Sequence, residues 1–414
     1  MNRTWRGAIG LALIHLAFVA AVGAHVVVPL LLPDGARSDF GYFYRSAVEV
    51  SRGGSPYVAS PDQRGGEAGG DQVVNLNPPF QTALTVPLAR LEYGPAMWLW
   101  YLSSLAAGIA AGFVMARAFA PRRSLVLWGP LCATFLLIYP PSLANAWYAQ
   151  LGLVLALVAA LTFLLLRDDR WGAVGVVLGC AAGLKIFLGL FAIFFVLNRR
   201  WRALAGFGLA FAGTLVVGGL VVGWSSYPAW AGLLATVDWH SWSWNSSVFG
   251  TASRLFGSPR NTGLVWAGPP LGPLIGRLAA LLLLAGYGWV VLRRVDGNDA
   301  HALRLGMSLT FVMMVILSPL GWLYYLPCLI PSCLLLLMSS AVGRERALTV
   351  GSVAAFLLLT TVLQRPYPGT ELLAPKYAWW KAEMPLLGMF ALAGGHVVRL
   401  VRTRARNESI ADRG

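Results

Sequence analysis

"WGAVGVVLGCAAGLKIFLGLFAIFFVLN", Trp171 to Asn198, is apolar from end to end except for Lys185. It is longer than the roughly 20 residues that cross hydrocarbon as one helix. The flanking charges decide how it folds. Arg167 and Arg170 precede it, and Arg199, Arg200 and Arg202 follow it. A single crossing would put these two basic groups on opposite sides, against the bias that keeps Lys and Arg in cytoplasmic loops. It would also leave Lys185 near the bilayer centre, at a cost of at least about 2.5 kcal/mol. A chain that breaks near Gly183 and turns back on itself keeps both arginine groups on one side and carries Lys185 to the other face. The sequence therefore predicts a re-entrant or broken helix pair here.

The rest of the chain reads outward from that pair. Ten further apolar runs are Gly7–Leu32, Pro95–Ala120, Ser124–Ile138, Leu151–Leu166, Ala203–Val222, Leu271–Leu292, Leu305–Leu317, Tyr324–Met338, Leu348–Leu363 and Pro385–Val398. With Trp171–Asn198 doubled back, Arg122 and Arg123, Arg293 and Arg294, Arg344 and Arg346, and the basic tail 399–414 all fall on the cytoplasmic side. The expectation is an all-α polytopic membrane protein, one membrane-embedded unit over 1–414 with roughly twelve segments and both termini cytoplasmic, in the plasma (inner) membrane. A content of 57% hydrophobic and 12% charged residues, with a mean hydropathy of +0.65, agrees. A β-barrel would show short alternating segments in place of these continuous Leu, Ala and Val runs. The net charge of +15 is spread over short clusters between apolar runs, which argues against nucleic acid as a partner. Cys132, Cys180, Cys328 and Cys333 all lie in apolar runs and read as buried thiols. The amino terminus resembles a signal peptide, but its apolar run continues into "HVVVPLLL", so an uncleaved first span is expected.

The opposite face then receives the first outer loop, residues 34–94, with Tyr139–Gln150, Lys185, Trp224–Pro270, Ser318–Leu323 and Gln364–Met384. The first loop carries Asp34, Asp39, Glu49, Asp62, Glu67 and Asp71. Ser38 or Asp39 opens an amphipathic helix whose Phe40, Tyr44, Ala47 and Val48 share a face, ended by Gly53 and Gly54. Gly65–Gly70 is expected to be flexible, and "NLNPPFQTALTVPLARL" forms a second, short amphipathic element bounded by prolines. Tryptophan and tyrosine gather in these loops, where some are expected to be interfacial belt.

Motifs of soluble enzymes are absent: the sequence holds no GxxxxGK[ST], HExxH, GxSxG or metal-holding DxD. His240 and Asp238 supply too few ligands for a metal. His15, His25 and His396 lie in apolar runs and read as packing or interface residues. No metal and no cofactor are expected.

Six segments in order carry a resemblance. They are "SDFGYFYRSAVEVSRGGSPYV", "NLNPPFQTALTVPLARL", "NAWYAQLGLVLAL", "GLKIFLGLFAIFFVLNRRWRA", "SWNSSVFGTASRLFG" and "LSPLGWLYYL". Over about residues 1–400 the chain resembles glycosyltransferase family 87, polyprenol-phosphate-mannose-dependent mannosyltransferases of the membrane-embedded GT-C superfamily. The resemblance implies a GT-C type bundle and a reaction on the periplasmic or extracellular face. A hexose, mannose in the family, passes with inversion from a polyprenyl-phosphate donor to a hydroxyl of a lipid or glycan acceptor.

The family's catalytic base is an Asp just beyond the first span, and the matching residue is Asp39. An inverting displacement needs one carboxylate to take the acceptor proton, and the phosphate leaves without an acid. Asp39 equally suits the cap of the helix it opens. Lys185 matches a family lysine, and a lone cation there suits a phosphate diester; the alternative is a lysine snorkelling at a helix end. Arg254 is the second candidate for the donor phosphate, with an interfacial arginine as its alternative. Asn77, Gln150 and Asn245 are candidates for sugar hydroxyls, or for caps and turns. Where many members carry a His pair, this chain has Tyr324 and Tyr325, so no histidine acts there, and Tyr324 is a candidate to donate to phosphate or stack on a sugar. A transporter or flippase of envelope precursors would share the segment number, but such proteins show two similar halves and a polar site near the bilayer midplane. Neither is evident here.

Overall fold

The computed structural model describes residues 3–30, 39–57, 75–120, 124–237, 239–259, 262–266, 268–339, 344–361 and 379–411. Asp34, Ser38, Asp62, Gly65–Gly70, Asp71, Arg122, Arg123 and Asp238 lie outside the described residues, as does most of the last outer loop. In chain order the α-helices are α1 (Arg3–Leu30), α2 (Asp39–Ser51), α3 (Pro79–Thr85), α4 (Tyr93–Phe119), α5 (Leu125–Ile138), α6 (Pro140–Tyr148), α7 (Gly152–Arg167), α8 (Trp171–Leu184) and α9 (Leu190–Leu197). They continue with α10 (Trp201–Val222), α11 (Ser226–Thr236), α12 (Val248–Phe256), α13 (Gly272–Arg294), α14 (Ala300–Ile316), α15 (Ile330–Ser339), α16 (Arg344–Thr361) and α17 (Trp379–Ala411). Short 3-10 turns cover Val86–Arg90, Ile186–Gly189 and Leu323–Leu329.

Among the described residues, five helices are long and apolar enough to cross a membrane: α1, α4, α10, α13 and α17. A sixth span arises if α5 and α6, bent by 67° at Tyr139, are taken together. Pro140 and Pro141 stand in the first turn of α6, where a missing N–H breaks no helical bond, so Tyr139–Gln150, expected as a loop, is mostly helix. Shorter apolar stretches of 10–17 residues follow among the described residues, four of them flanking the breaks at Lys185 and between Ser318 and Trp322.

The segment around Lys185 turns back. α8 and α10 run side by side in the same direction: Gly175 abuts the Ala203 backbone, Gly179 the Phe207 backbone, and Gly183 the Thr214 side chain. Two consecutive segments can be parallel only if the chain between them has returned, and α9 makes that return. The return closes with the Arg200 guanidinium 4.5 Å from the Trp171 ring centroid. Glycine at these contacts lets the two backbones approach closely.

The bundle has two unlike ends. At one, Arg167 donates to the Arg117 carbonyl, Arg200 to that of Gly297, Arg404 to that of Arg293 and Arg399 to that of Ser339. At the other lie α2, α3, Gln150 at the start of α7, Lys185 at the end of α8, and the loop before α15. Between them the core centres on α14, whose side chains are almost all buried. Its polar groups are answered by neighbours: Thr310 by the Tyr287 hydroxyl at 2.7 Å, and Ser308 by His396 at 2.9 Å. His25 likewise donates to the Leu137 carbonyl at 2.9 Å. Cys328 and Cys333 are buried and Cys132 half-buried, but Cys180 is exposed, which corrects the reading of four buried thiols. α8 turns its glycine face to α10 and leaves Cys180 on its outward side.

Candidate active site

Asp39 is the first residue of α2, where the helix dipole favours its negative charge. α2 buries Phe40, Phe43 and Ala47. Phe40 stacks on Trp100 with ring centroids 5.6 Å apart, and the Trp100 indole donates to the Ala149 carbonyl at 2.8 Å. Ala149 takes a left-handed conformation, φ 52°, that ends α6 and turns the chain. The next residue, Gln150, is buried and donates through Nε2 to Oδ2 of Asp39. Three segments far apart in sequence thus fix one carboxylate.

Lys185 follows the last residue of α8 in extended backbone and is 8% exposed. Its Nζ donates to Oδ1 of Asn77 at 2.5 Å and lies 5.1 Å from the centre of the Tyr325 ring. Asn77 is held in turn: its backbone N and its Nδ2 both donate to Oδ1 of Asn75 at 3.0 Å. Its carbonyl accepts from the Tyr57 hydroxyl at 2.8 Å. Burial pushes the Tyr57 pKa up, so that hydroxyl stays a neutral donor. A lysine delivered by a broken helix and an asparagine from the first loop therefore form one polar unit. Asp39 is near enough to act electrostatically on both Lys185 and Tyr325.

These groups line one cavity of about 330 Å³. Asp39, Asn77, Gln150, Lys185 and Tyr324 all contribute to its wall. Much of the remaining lining is aromatic, from Tyr148, Trp239, Trp242, Trp244, Trp322 and Tyr325. Such a chamber, with one anion and one cation set into an aromatic lining, suits a ligand with a sugar ring and a phosphate.

Two candidates stand elsewhere. Asn245 is fully buried behind the wall, its Nδ2 donating to the carbonyls of His240 at 3.0 Å and Pro319 at 2.9 Å, its Oδ1 accepting from Gly321 N at 2.9 Å. It pairs with Trp322 as an isolated β-bridge and staples two loops together. Arg254 also lies behind the wall, ion-paired with Glu383 at 2.6 Å. Neither lines the cavity. The tryptophans escaped the sequence reading because aromatic residues in outer loops look like interfacial belt, and His240, weighed there only as a metal ligand, also lines the cavity.

An all-helical bundle with membrane-length apolar helices and a charged, aromatic-walled cavity at one end defines a polytopic membrane protein built to handle a polar ligand beside lipid. The family model for glycosyltransferase family 87 matches residues 75–319, and the chain belongs to that family. It is 30% identical over 330 residues, 77% of this chain and 75% of the relative, to a polyprenol-phosphate-mannose-dependent alpha-(1-2)-phosphatidylinositol pentamannoside mannosyltransferase of Mycolicibacterium smegmatis. It is 27% identical over 359 residues, 84% of this chain and 77% of the relative, to a protein of the same name from Mycobacterium tuberculosis. Family membership makes this chain a glycosyltransferase and displaces the transporter reading.

Proposed function

We propose that this chain transfers mannose from a polyprenyl phosphate to a hydroxyl of a mannosylated phosphatidylinositol on the outer face of the membrane, with inversion. Asp39 takes the proton from the acceptor hydroxyl as its oxygen forms a bond to C1 of the donor sugar. The C1–O bond to phosphate breaks, and the polyprenyl phosphate departs with its negative charge held by Lys185. Gln150 orients the carboxylate and Asn77 orients the ammonium. Tyr324 stands in the wall as a hydroxyl and a ring for the sugar.

The observation that carries the reading is that Asp39 and Lys185 line the same cavity, at the end of the bundle away from the cluster of Arg117, Arg167, Arg200, Arg293, Arg399 and Arg404. Positive charge favours the cytoplasmic side, so the arginine-rich end faces the cytoplasm and the cavity faces out. Counted as segments that enter the membrane, with α5 and α6 as one, the apolar helices number about twelve, which leaves both termini inside. The first acceptor to try is the phosphatidylinositol pentamannoside of the relatives' names.

Reconstituted protein supplied with radiolabelled polyprenyl phosphate mannose and that acceptor tests the proposal. Label is expected in the acceptor, and none when a nucleotide-linked mannose replaces the lipid donor. Transfer from the nucleotide sugar, or from neither donor, would overturn it.

A further inference from the structure

The cavity has two unlike halves. On one side of the lysine the lining is mostly aliphatic: Leu76 precedes Asn77, Ile186 follows Lys185, and α11 adds Leu234 beside Trp230, whose indole donates to the Leu76 carbonyl at 2.9 Å. On its other side Tyr325, 5.0 Å from both Phe187 and Tyr324, leads into the aromatic half. The other half is a continuous aromatic wall. Trp242 and Trp322 have ring centroids 6.1 Å apart, and Trp322 and Tyr324 lie 6.1 Å apart and stacked. Tyr324 adjoins Tyr148 at 6.1 Å, and Tyr148 meets Trp244 edge-on at 4.9 Å. Tyr148 ends the helix that leads into Gln150, so this wall begins beside the residue that holds Asp39.

The chemistry of each half differs. A prenyl chain matches the aliphatic half, next to the cation that would hold its phosphate. A sugar presents C–H faces that suit the electron-rich faces of indole and phenol rings. The hydroxyl that loses its proton to Asp39 belongs to whatever sugar lies on the wall beside it.

Arg254 fastens that wall from behind. Its Nε donates to Glu383 of α17 at 2.6 Å, while one terminal nitrogen donates to the carbonyls of Trp242 at 2.8 Å and Asn245 at 3.0 Å. Thr251 donates to the same carboxylate. Both charged side chains are nearly buried, at 8% and 10% exposure. A guanidinium supplies enough donors in a fixed plane for these contacts, which an ammonium does not reproduce.

We propose that the wall of Trp242, Trp244, Trp322 and Tyr324 binds the terminal sugar of the acceptor, and that the Arg254–Glu383 pair is its positioning device. The donor's prenyl chain lies along the opposite, aliphatic half. This inference rests on the transferase reading and goes beyond it by assigning the two substrates to separate walls.

Initial rates of the full chain in proteoliposomes, with labelled polyprenyl phosphate mannose and phosphatidylinositol pentamannoside varied separately, test it. Trp242→Leu and Arg254→Lys are each expected to raise the acceptor KM about tenfold while the donor KM stays within about twofold. Trp242→Phe should recover most of the loss, which a merely structural defect would not allow. Trp230→Leu, on the aliphatic side, should raise the donor KM alone. Should Arg254→Lys fail to fold, Trp242→Leu and Trp242→Phe carry the test. A Trp242→Leu variant with only the donor KM raised, or with neither KM changed, overturns the assignment while leaving the transferase reading intact. A wild-type chain that transfers no label overturns both.

Discussion

Lys185→Met removes one charge from the cavity and little volume. Lys185 is 8% exposed and donates to Asn77 at 2.5 Å, so its ammonium would meet the donor phosphate largely shielded from water. A hydrogen bond to a charged partner contributes about 1.5–3 kcal/mol. At about 1.4 kcal/mol per tenfold change, the variant should lose roughly 10- to 150-fold in kcat/KM for the donor. Stability should move much less. Removing a buried cation relieves its desolvation, which offsets the acceptor left open on Asn77, and Asn77 keeps its bonds to Asn75 and Tyr57. The assay is initial rate against donor concentration at saturating acceptor, with a thermal melt of the same preparation. A folded variant within about threefold of wild type, a difference under about 1 kcal/mol, would refute the assignment of Lys185 to the phosphate and favour a lysine that only fills a helix break.

Other outcomes follow from the same geometry. Gln150→Leu takes away the amide that orients Asp39, so kcat should fall about 10- to 100-fold with the donor KM unchanged, and a changed donor KM alone would contradict that role. Gly179→Val places a branched side chain against the Phe207 backbone, and the melting temperature should drop by several degrees or the folded protein be lost; an unaltered melt would contradict the parallel packing of α8 on α10. In a background freed of Cys132, Cys180, Cys328 and Cys333, an impermeant thiol reagent should label Ser225→Cys in intact cells and Asp296→Cys only after permeabilisation. The reverse pattern would invert the proposed orientation.

The sequence made the turn at Lys185 legible because charge is expensive in lipid: only a doubled-back chain kept Arg170 and Arg199 together, and the Arg200–Trp171 contact is its structural counterpart. The helix opening at Asp39 was legible too, from its apolar face and the glycines beyond it. What escaped depends on contacts distant in sequence. Nothing near Arg254 announces Glu383, and nothing near Asn245 announces Gly321. An arginine and an asparagine in an outer loop look available for a ligand until their partners are seen, and here the backbone and Glu383 already occupy them. Tyr139–Gln150, a polar interval between two apolar runs, reads as a loop, yet most of it is helix, because the first helical turn accommodates Pro140 and Pro141. The aromatic wall was hidden for a third reason: a tryptophan at a membrane surface and a tryptophan facing a cavity have the same local signature.

Asp39→Asn bears most directly on the central claim. The amide keeps the size of the carboxylate and an oxygen for Gln150, but it cannot accept the acceptor's proton. Reconstituted variant and wild type should bind labelled polyprenyl phosphate mannose equally, while the transfer rate of the variant falls by about 10²- to 10⁴-fold. Transfer at the wild-type rate by Asp39→Asn would remove the base from the mechanism.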